Sequence, residues 1–427
     1  MHKYKNHPWY KSRRYLHFDQ PVGLSSALHV VTSPKRVAKH AFYPFISYKV
    51  TSEKIYKETG TNELKKKTKD RPIAYAAHMD SHIYAYYAWK LNELYEEEIN
   101  RLSISDSVLA FRALGLSNID FASDAFNSIK KFGECAVVAL DIKGFFDNLD
   151  HDVLKKQWSI LLDTDKLPSD HYAIFRSLTR FVTVDKESVY DKLGISLHNP
   201  KSGRKRICSP SEFRDLVRNS GLITVNKEIF GIPQGSPLSA LLSNIYMLEF
   251  DQRAHEFAKR HNGKYLRYCD DMLFIMPLSL RDEVEKRAIE EIERVELSIN
   301  TNKTVIREFV NKDGRLTANK PLQYLGFIFD GENVTLRSSS LARYSERMKR
   351  GVRLAKQTKI KRNRIKIEKG LPRKELYKRK LYSRYSHLGK RNFVRYGLRA
   401  ANTMNSKSIK KQLKPLWHRM IEEIKKK

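Results

Sequence analysis

The sequence predicts an α+β fold, an antiparallel sheet that carries a cluster of acids and is surrounded by helices. Three observations predict it. Leu266-Arg-Tyr-Cys-Asp-Asp-Met-Leu-Phe-Ile-Met276 reads as strand–turn–strand with two adjacent carboxylates at its tip. Ala136-Val-Val-Ala-Leu140 is a short buried-strand pattern that runs directly into Asp141. Between them, Leu238, Leu241, Leu242, Ile245 and Leu248 recur at helical spacing.

The elements follow in order. Residues 1–70 form a basic N-terminal extension with Pro8, Pro21, Pro34 and Pro44, ending in Lys65-Lys-Lys-Thr-Lys69. Residues 80–100 are expected to form a long helix with Asp80 as N-cap, and residues 105–132 are expected to be helical as well. The central region, 136–337, opens with the strand that ends at Asp141 and turns toward a helix beginning near Asp152. Residues 181–230, rich in Gly, Ser and Lys and including Asn199-Pro-Lys-Ser-Gly-Arg-Lys-Arg206, read as a loop-bearing insertion. Residues 281–297 place Val284, Ala288, Ile292 and Val295 on one helical face. Residues 324–337 read as a hairpin turning at Asp330-Gly331, and basic helices fill 338–427.

Bare carboxylates at a hairpin tip repel each other and cost solvation, so folding alone would not select them. A pair of divalent cations would. Two metals held by aspartates clamp the attacking and departing oxygens of an in-line phosphoryl displacement. An Asp-Asp pair by itself is as readily a solvated turn; Asp141, at the end of a strand able to face that tip, makes the metal reading far stronger. Clustered oxygens suit Mg²⁺, with Mn²⁺ an alternative, whereas zinc would want grouped His and Cys. In Gly231-Ile-Pro-Gln-Gly-Ser-Pro-Leu-Ser-Ala240, a Gly- and Pro-punctuated loop opens a helix and lets backbone and a Gln side chain approach a nucleotide.

These segments together resemble the reverse transcriptases. Asp141 with its Phe-Phe pair, Gly-Ile-Pro-Gln-Gly-Ser-Pro-Leu-Ser, and Tyr268-Cys-Asp-Asp271 stand in that family's order and at compatible spacing. Arg71-Pro-Ile and Ala110-Phe-Arg112 resemble its fingers motifs, Leu297-Ser-Ile-Asn-Thr-Asn-Lys-Thr304 its lysine-bearing segment, and Gln323-Tyr-Leu-Gly-Phe327 its primer-grip hairpin. The resemblance spans about residues 65–350. It implies a right-hand polymerase with fingers at 71–135, an antiparallel palm at 136–337 and a helical thumb at 338–427. It implies RNA-templated DNA synthesis from deoxynucleoside triphosphates with two Mg²⁺ ions. The metal ligands would be Asp141, the Ile142 backbone carbonyl, Asp270 and Asp271. Phe146 would be the steric gate under the sugar, and Gln234 would face the incoming nucleotide. Arg71 and Arg112 would hold its triphosphate. Lys303 would be a proton donor to pyrophosphate, or else a solvated lysine at a turn.

Within the family, the Asp-Ile-Lys-Gly-Phe-Phe-Asp and Ser-Pro-Leu-Ser-Ala-Leu-Leu-Ser-Asn-Ile-Tyr-Met blocks resemble bacterial enzymes of the group II intron and retron kind. Cys269 departs from the Ala that stands there in most of them. The pattern with His7-Pro-Trp-Tyr-Lys-Ser-Arg-Arg-Tyr-Leu-His-Phe18 most resembles the defence-associated (antiphage) reverse transcriptases, class 2. Members of that group pair with a noncoding RNA and act against phage; the three widely spaced cysteines fit the reducing cytoplasm expected of a bacterial enzyme. The expected partners are therefore an RNA template, its cDNA product or primer, and nucleotides. The competing readings are an intron-type maturase acting as a splicing cofactor, and a template-independent or protein-primed DNA polymerase.

Charge agrees with a nucleic-acid partner. The 427 residues carry a formal net charge of +33, and the excess sits at the ends. Residues 338–427 hold 30 Lys and Arg against 5 acids, and residues 1–70 hold 15 against 5, leaving the middle near neutral. Such an excess repels itself without a polyanionic partner. Tyr344, Tyr377, Tyr382, Tyr385, Phe393, Tyr396 and Trp417 are interleaved there, expected mostly as thumb core and otherwise as stacking surfaces. Trp9, Tyr10, Tyr15 and Phe18 are candidates to stack on RNA or to pack on the fingers. Cys135, Cys208 and Cys269 suggest neither a disulfide framework nor a zinc site. No apolar run approaches membrane-spanning length, and no length is expected after the thumb for a ribonuclease H or integrase domain.

Overall fold

The structure, a computed structural model, describes residues 6–57 and 63–426. The N-terminal segment leads through α1 (Leu24–Val31) and α2 (Pro34–Ala38) into two long strands, β1 (Phe45–Lys57) and β2 (Leu64–Tyr75), paired antiparallel. β2 runs into α3 (His78–Arg101). The capping acid of α3 is Asp19, not Asp80. The Asp19 carboxylate accepts the His78 and Met79 N–H groups at 2.9 and 3.0 Å, satisfying donors that the first turn leaves open. Asp80 is buried inside the helix, accepting from His40 Nε2 at 2.7 Å and the Tyr43 N–H at 2.9 Å. Trp9, Tyr10 and Phe18 are buried, Trp9 edge-on to Tyr86 and Tyr10 stacked on His82, and the Tyr15 hydroxyl donates to the Ala76 carbonyl. These aromatic rings pack the extension onto the body of the protein, which leaves Trp9, Tyr10 and Phe18 unable to stack on RNA.

Only part of 105–132 is helical. Turns occupy the stretch up to Ser117, whose side chain and Asp120 form a capping box for α4 (Asn118–Phe132). Next comes β3 (Cys135–Asp141), the middle strand of a five-stranded sheet. α5 (His151–Leu161) starts where expected, with the Asp150 carboxylate accepting from Asp152 and Val153. α6 (Ser169–Thr179) follows.

The 181–230 segment is not a loose insertion. β4 (Val182–Asp185) pairs parallel to β1 and antiparallel to β5 (Ile223–Val225), extending the N-terminal sheet to the order β2-β1-β4-β5. Between them lie α7 (Lys186–Lys192) and one-turn α8 (Pro210–Glu212). Ile46, Val184, Tyr190 and Val217 share a small core with Leu16 and Phe18. Lys201 through Lys205 remain exposed at its surface.

After α9 (Ser239–Tyr246) and α10 (Leu248–Arg260), the chain forms the hairpin of β6 (Lys264–Tyr268) and β7 (Asp271–Met276), then α11 (Arg281–Glu293), β8 (Val305–Lys312) and β9 (Arg315–Ala318). The main sheet is antiparallel throughout, in the order β6-β7-β3-β8-β9. Both faces are covered. Val138, Leu140, Met272 and Phe274 join the core under α3, α5, α9 and α10. Val137, Leu266, Leu273 and Ile275 join a second core with α4 and the C-terminal helices. Burial on both faces is why β3 and β7 read as continuous apolar runs rather than alternating ones.

A second sheet is built from β10 (Leu322–Tyr324), β11 (Phe327–Phe329) and β12 (Val334–Leu336); the β11–β12 hairpin contains Asp330-Gly331, as expected. It supports the C-terminal helices α12 (Ser338–Glu368), α13 (Arg379–Tyr385), α14 (Phe393–Thr403), α15 (Lys407–Leu413) and α16 (Pro415–Lys425). The Ser406 hydroxyl donates to Val334 O, and Gln412 bridges both backbone groups of Leu336. Of the interleaved C-terminal aromatics, Tyr377 is exposed, whereas the other six pack in the second core. No helix among the described residues is long and apolar enough to cross a membrane.

Candidate active site

The acids converge because of strand register. Tyr268 and Asp271 pair across a two-residue turn made by Cys269 and Asp270, with Cys269 at the positive φ of +60° that tight hairpins of this length require. On the other side of β7, Asp271 stands directly opposite Asp141, and the Ile142 N–H donates to the Asp270 carbonyl at 3.1 Å. Asp141, Asp270 and Asp271 therefore share one end of two adjacent strands. Ile142, the expected carbonyl ligand, is buried at the same junction.

The electrostatics are those of a site short of positive charge. Burial first, and then the neighbouring Asp270 and Asp141, push the Asp271 carboxyl up to about 6; Lys303 and Arg337 pull the other way. By accessible area Asp271 is nonetheless exposed. Lys303, at the end of a 3-10 turn, places Nζ 2.5 Å from Asp141 Oδ1, and Asn300 Nδ2 approaches the same oxygen at 3.4 Å. An ammonium thus stands where a cation is called for. Among the described residues no three His, Cys, Asp or Glu side chains already close around a common point. The donor set still fits hard divalent cations, since it is all oxygen and self-repelling in their absence.

Two of the expected nucleotide-site residues, Phe146 and Gln234, are held by backbone contacts. Phe146 lies in the 3-10 turn Phe145–Asp147, half-buried, and its carbonyl accepts the Ile232 N–H at 2.9 Å. Gly231, at φ +90°, comes so close to the carbonyl of Asp147 that a Cβ would sit 2.9 Å from it, so only glycine fits. Three residues on, the Gln234 carbonyl accepts the Ala74 N–H at 2.8 Å, and a Cβ at Gly235 would lie 2.4 Å from Ala74 O. The Gln loop is thereby stitched to β2, on which Arg71 is exposed three residues earlier.

Arg112 is the exception and corrects the expectation for it. Its guanidinium is nearly inaccessible and fully engaged inside the protein. Nε and Nη2 fork onto the Glu96 carboxylate, Nη2 also meets Ser105 Oγ, and Nη1 donates to the carbonyls of Ser105 and Val108. No N–H is left for a triphosphate. Arg112 instead pins the turn 105–112 to α3. The same turn is held from its other side: Leu109 N donates to Arg267 O, Arg267 N to Ser107 O, and Asn244 Nδ2 to Ala110 O.

Behind the Cys269-Asp270 turn lies a buried ion pair that sequence reading missed. Arg267 and Asp251 both have side chains at 0% exposure, joined at 2.5 and 2.7 Å. The Tyr265 hydroxyl donates to the same carboxylate at 2.8 Å. Arg267 Nη1 reaches Asn244 Oδ1 and the Cys269 carbonyl, each at 3.2 Å. The available signal was a charged residue inside an apolar strand pattern.

With this geometry in place, comparison with known proteins identifies the family. The profile described as reverse transcriptase (RNA-dependent DNA polymerase) matches residues 64–329. The chain belongs to the reverse transcriptase family. Its helices and antiparallel sheets form the right-hand polymerase fold of that family. No curated protein sequence matches it. Among solved structures it is similar to apo telomerase from Candida tropicalis truncated from its C-terminal domain, at 12% identity and TM-score 0.41, covering 74% of this chain and 61% of that one. It is also similar to Candida albicans telomerase in complex with a fragment of telomeric RNA, at 14% identity and TM-score 0.38, covering 72% and 49%. A third is the RNA-dependent RNA polymerase of a human picobirnavirus, at 12% identity and TM-score 0.36, covering 67% and 43%. The chain thus spans from about two fifths to three fifths of the length of these relatives.

Proposed function

We propose that this protein is an RNA-directed DNA polymerase that copies a dedicated structured RNA into DNA, in antiphage defence of a bacterium. The observation that carries the polymerase reading is the register that sets Asp141 opposite Asp271 and joins Ile142 to Asp270. Asp141, Asp270, Asp271 and the Ile142 carbonyl would hold two divalent cations, taken as Mg²⁺. When bound, these would supply charge for the attacking 3′-hydroxyl and for the departing pyrophosphate. Gln234 and Phe146 would position the nucleotide and exclude the 2′-hydroxyl. Arg71, exposed on β2, would meet the triphosphate. Lys303 would release Asp141 and offer its proton to the leaving group.

The choice of a structured RNA is supported by the C-terminal helices. A cleft of about 1380 Å³ between α12, α13 and the start of α14 is lined by Arg343, Arg347, Arg379, Arg384, Lys390 and Arg391. It continues past Arg395 and Arg399, and neither part has a carboxylate among its lining residues. Such a groove tracks phosphates without reading bases, so selectivity would come from RNA shape. The defence role is supported by the resemblance to the class 2 antiphage enzymes. The test is to purify the protein from its host and sequence the bound RNA and the DNA made. One dominant short RNA matched by the DNA supports the proposal; a transcriptome-like spread in both refutes it. Asp270→Ala with Asp271→Ala is expected to abolish synthesis and leave RNA binding intact.

A further inference from the structure

We infer that Phe111 is a specificity-determining residue, the second wall of the sugar pocket that Phe146 floors. This rests on the polymerase reading and on Phe146 as the gate. Phe111 has φ +63°, in the left-handed region that a bulky side chain enters only at a cost. Its ring is 44% exposed, so burial does not repay that cost. The conformation is nevertheless imposed from both flanks. Ala110 is fixed through Asn244 Nδ2, Leu109 through Arg267, and Arg112 through five donors to Glu96, Ser105 and Val108.

The result of all this anchoring is to present one ring. The Phe111 and Phe146 centroids are 6.4 Å apart at 61°, an edge-to-face pair. Phe146 in turn edges Phe145, which is buried in the main core. A rigid aromatic corner is thus built from two chain segments, one rooted beside Asp141 and one rooted behind the Cys269-Asp270 turn. Strain held in place by surrounding contacts, with the strained side chain left accessible, is the arrangement expected of a residue that touches a ligand. A sugar confined on two sides by rings has less freedom to tilt and admit a 2′-hydroxyl than one confined on a single side.

The test compares wild type, Phe146→Ala, Phe111→Ala, Phe111→Gly and Phe111→Tyr for the ratio of ribo- to deoxynucleotide incorporation on one template, with thermal melting of each. Phe111→Ala and Phe111→Gly are expected to raise ribonucleotide use by about tenfold, the scale of a lost steric contact in a small pocket. Phe111→Tyr keeps the wild-type ratio. Glycine adopts positive φ without strain, so Phe111→Gly melts above Phe111→Ala while discriminating as poorly. A purely structural role would move the melting point and leave the ratio. If Phe146→Ala changes the ratio and both small Phe111 variants keep it, the proposal is overturned. If Phe146→Ala also keeps it, the gate reading falls and this proposal with it.

Discussion

Replacing Asp251 by Leu strands a buried cation. Arg267 has no exposure, and two of its N–H groups end on the Asp251 carboxylate at 2.5 and 2.7 Å. Charge-assisted hydrogen bonds contribute about 1.5–3 kcal/mol each, and removing one partner of a buried pair costs about 3–5 kcal/mol because the other charge stays desolvated. Asp251→Leu should therefore lower unfolding stability by about 4 kcal/mol, a large share of the 5–15 kcal/mol typical of a domain. Asp251→Leu with Arg267→Met removes both charges and leaves the Tyr265 hydroxyl and Asn244 Oδ1 without their partners, at a cost of about 1–3 kcal/mol each. Adding Tyr265→Phe leaves Asn244 Oδ1 as the one stranded group, so the triple variant should be more stable than Asp251→Leu, since apolar replacement of a buried pair is close to neutral. Activity should not follow. The triple variant has lost the Arg267 contact to the Cys269 carbonyl, so its DNA synthesis should stay at least about tenfold down. Urea denaturation and primer extension on the four proteins are the assays. A single variant costing less than 1 kcal/mol would refute the energetic reasoning, and full activity in the stable triple variant would refute the role in holding the turn.

Other outcomes follow from the site. In chelator, the Asp271 carboxyl, raised from 3.8 to about 6, makes the folded state less favoured as pH climbs through that range. The full shift would be worth about 3 kcal/mol, but an exposed carboxylate is solvent-screened and about 1 kcal/mol is expected. Melting should thus fall between pH 4 and 7, Asp271→Asn should flatten that slope, and added Mg²⁺ should reverse it. Arg71→Ala should raise the KM for deoxynucleotides with melting unchanged, whereas Arg112→Lys should lose about 2–3 kcal/mol of stability, because one ammonium cannot replace a five-donor fork. Equal melting of Arg112→Lys and wild type would contradict the strut role. Neutralising Arg343, Arg347 and Arg391 together should weaken RNA binding uniformly across sequences and flatten its salt dependence; an unchanged salt slope would place the RNA elsewhere.

The centre of the site was legible because its chemistry is contiguous. Asp141 follows its buried strand without a break, and Asp270 and Asp271 sit in a hairpin short enough to read from one window. The Gln loop was equally plain, since Gly231 and Gly235 stand where no side chain fits. What escaped depends on partners far away in the chain. Arg112 looked like a ligand for phosphate, and nothing local says that Glu96 and two turn carbonyls consume its donors. Asp80 looked like a cap, although the capping acid, Asp19, lies 59 residues before the helix. β4 and β5 hold four and three residues, too few to show a period, so a sheet extension passed for a loop. The turn at 105–112 reads as helix by composition, and only Phe111 at positive φ reveals that tertiary contacts overrode that preference.

The stitch between Ala74 and Gln234 has a mechanical consequence. With Gly235 seated against Ala74 O, the end of the long β1–β2 ribbon and the loop that carries Gln234 share a single joint. A tilt of the ribbon is delivered to that loop without slack, as a handle delivers torque to a latch. Anything that grips the ribbon at its exposed Lys49 or Lys69 would thereby gain leverage over the Gln234 loop, even from a distance that no direct contact could span.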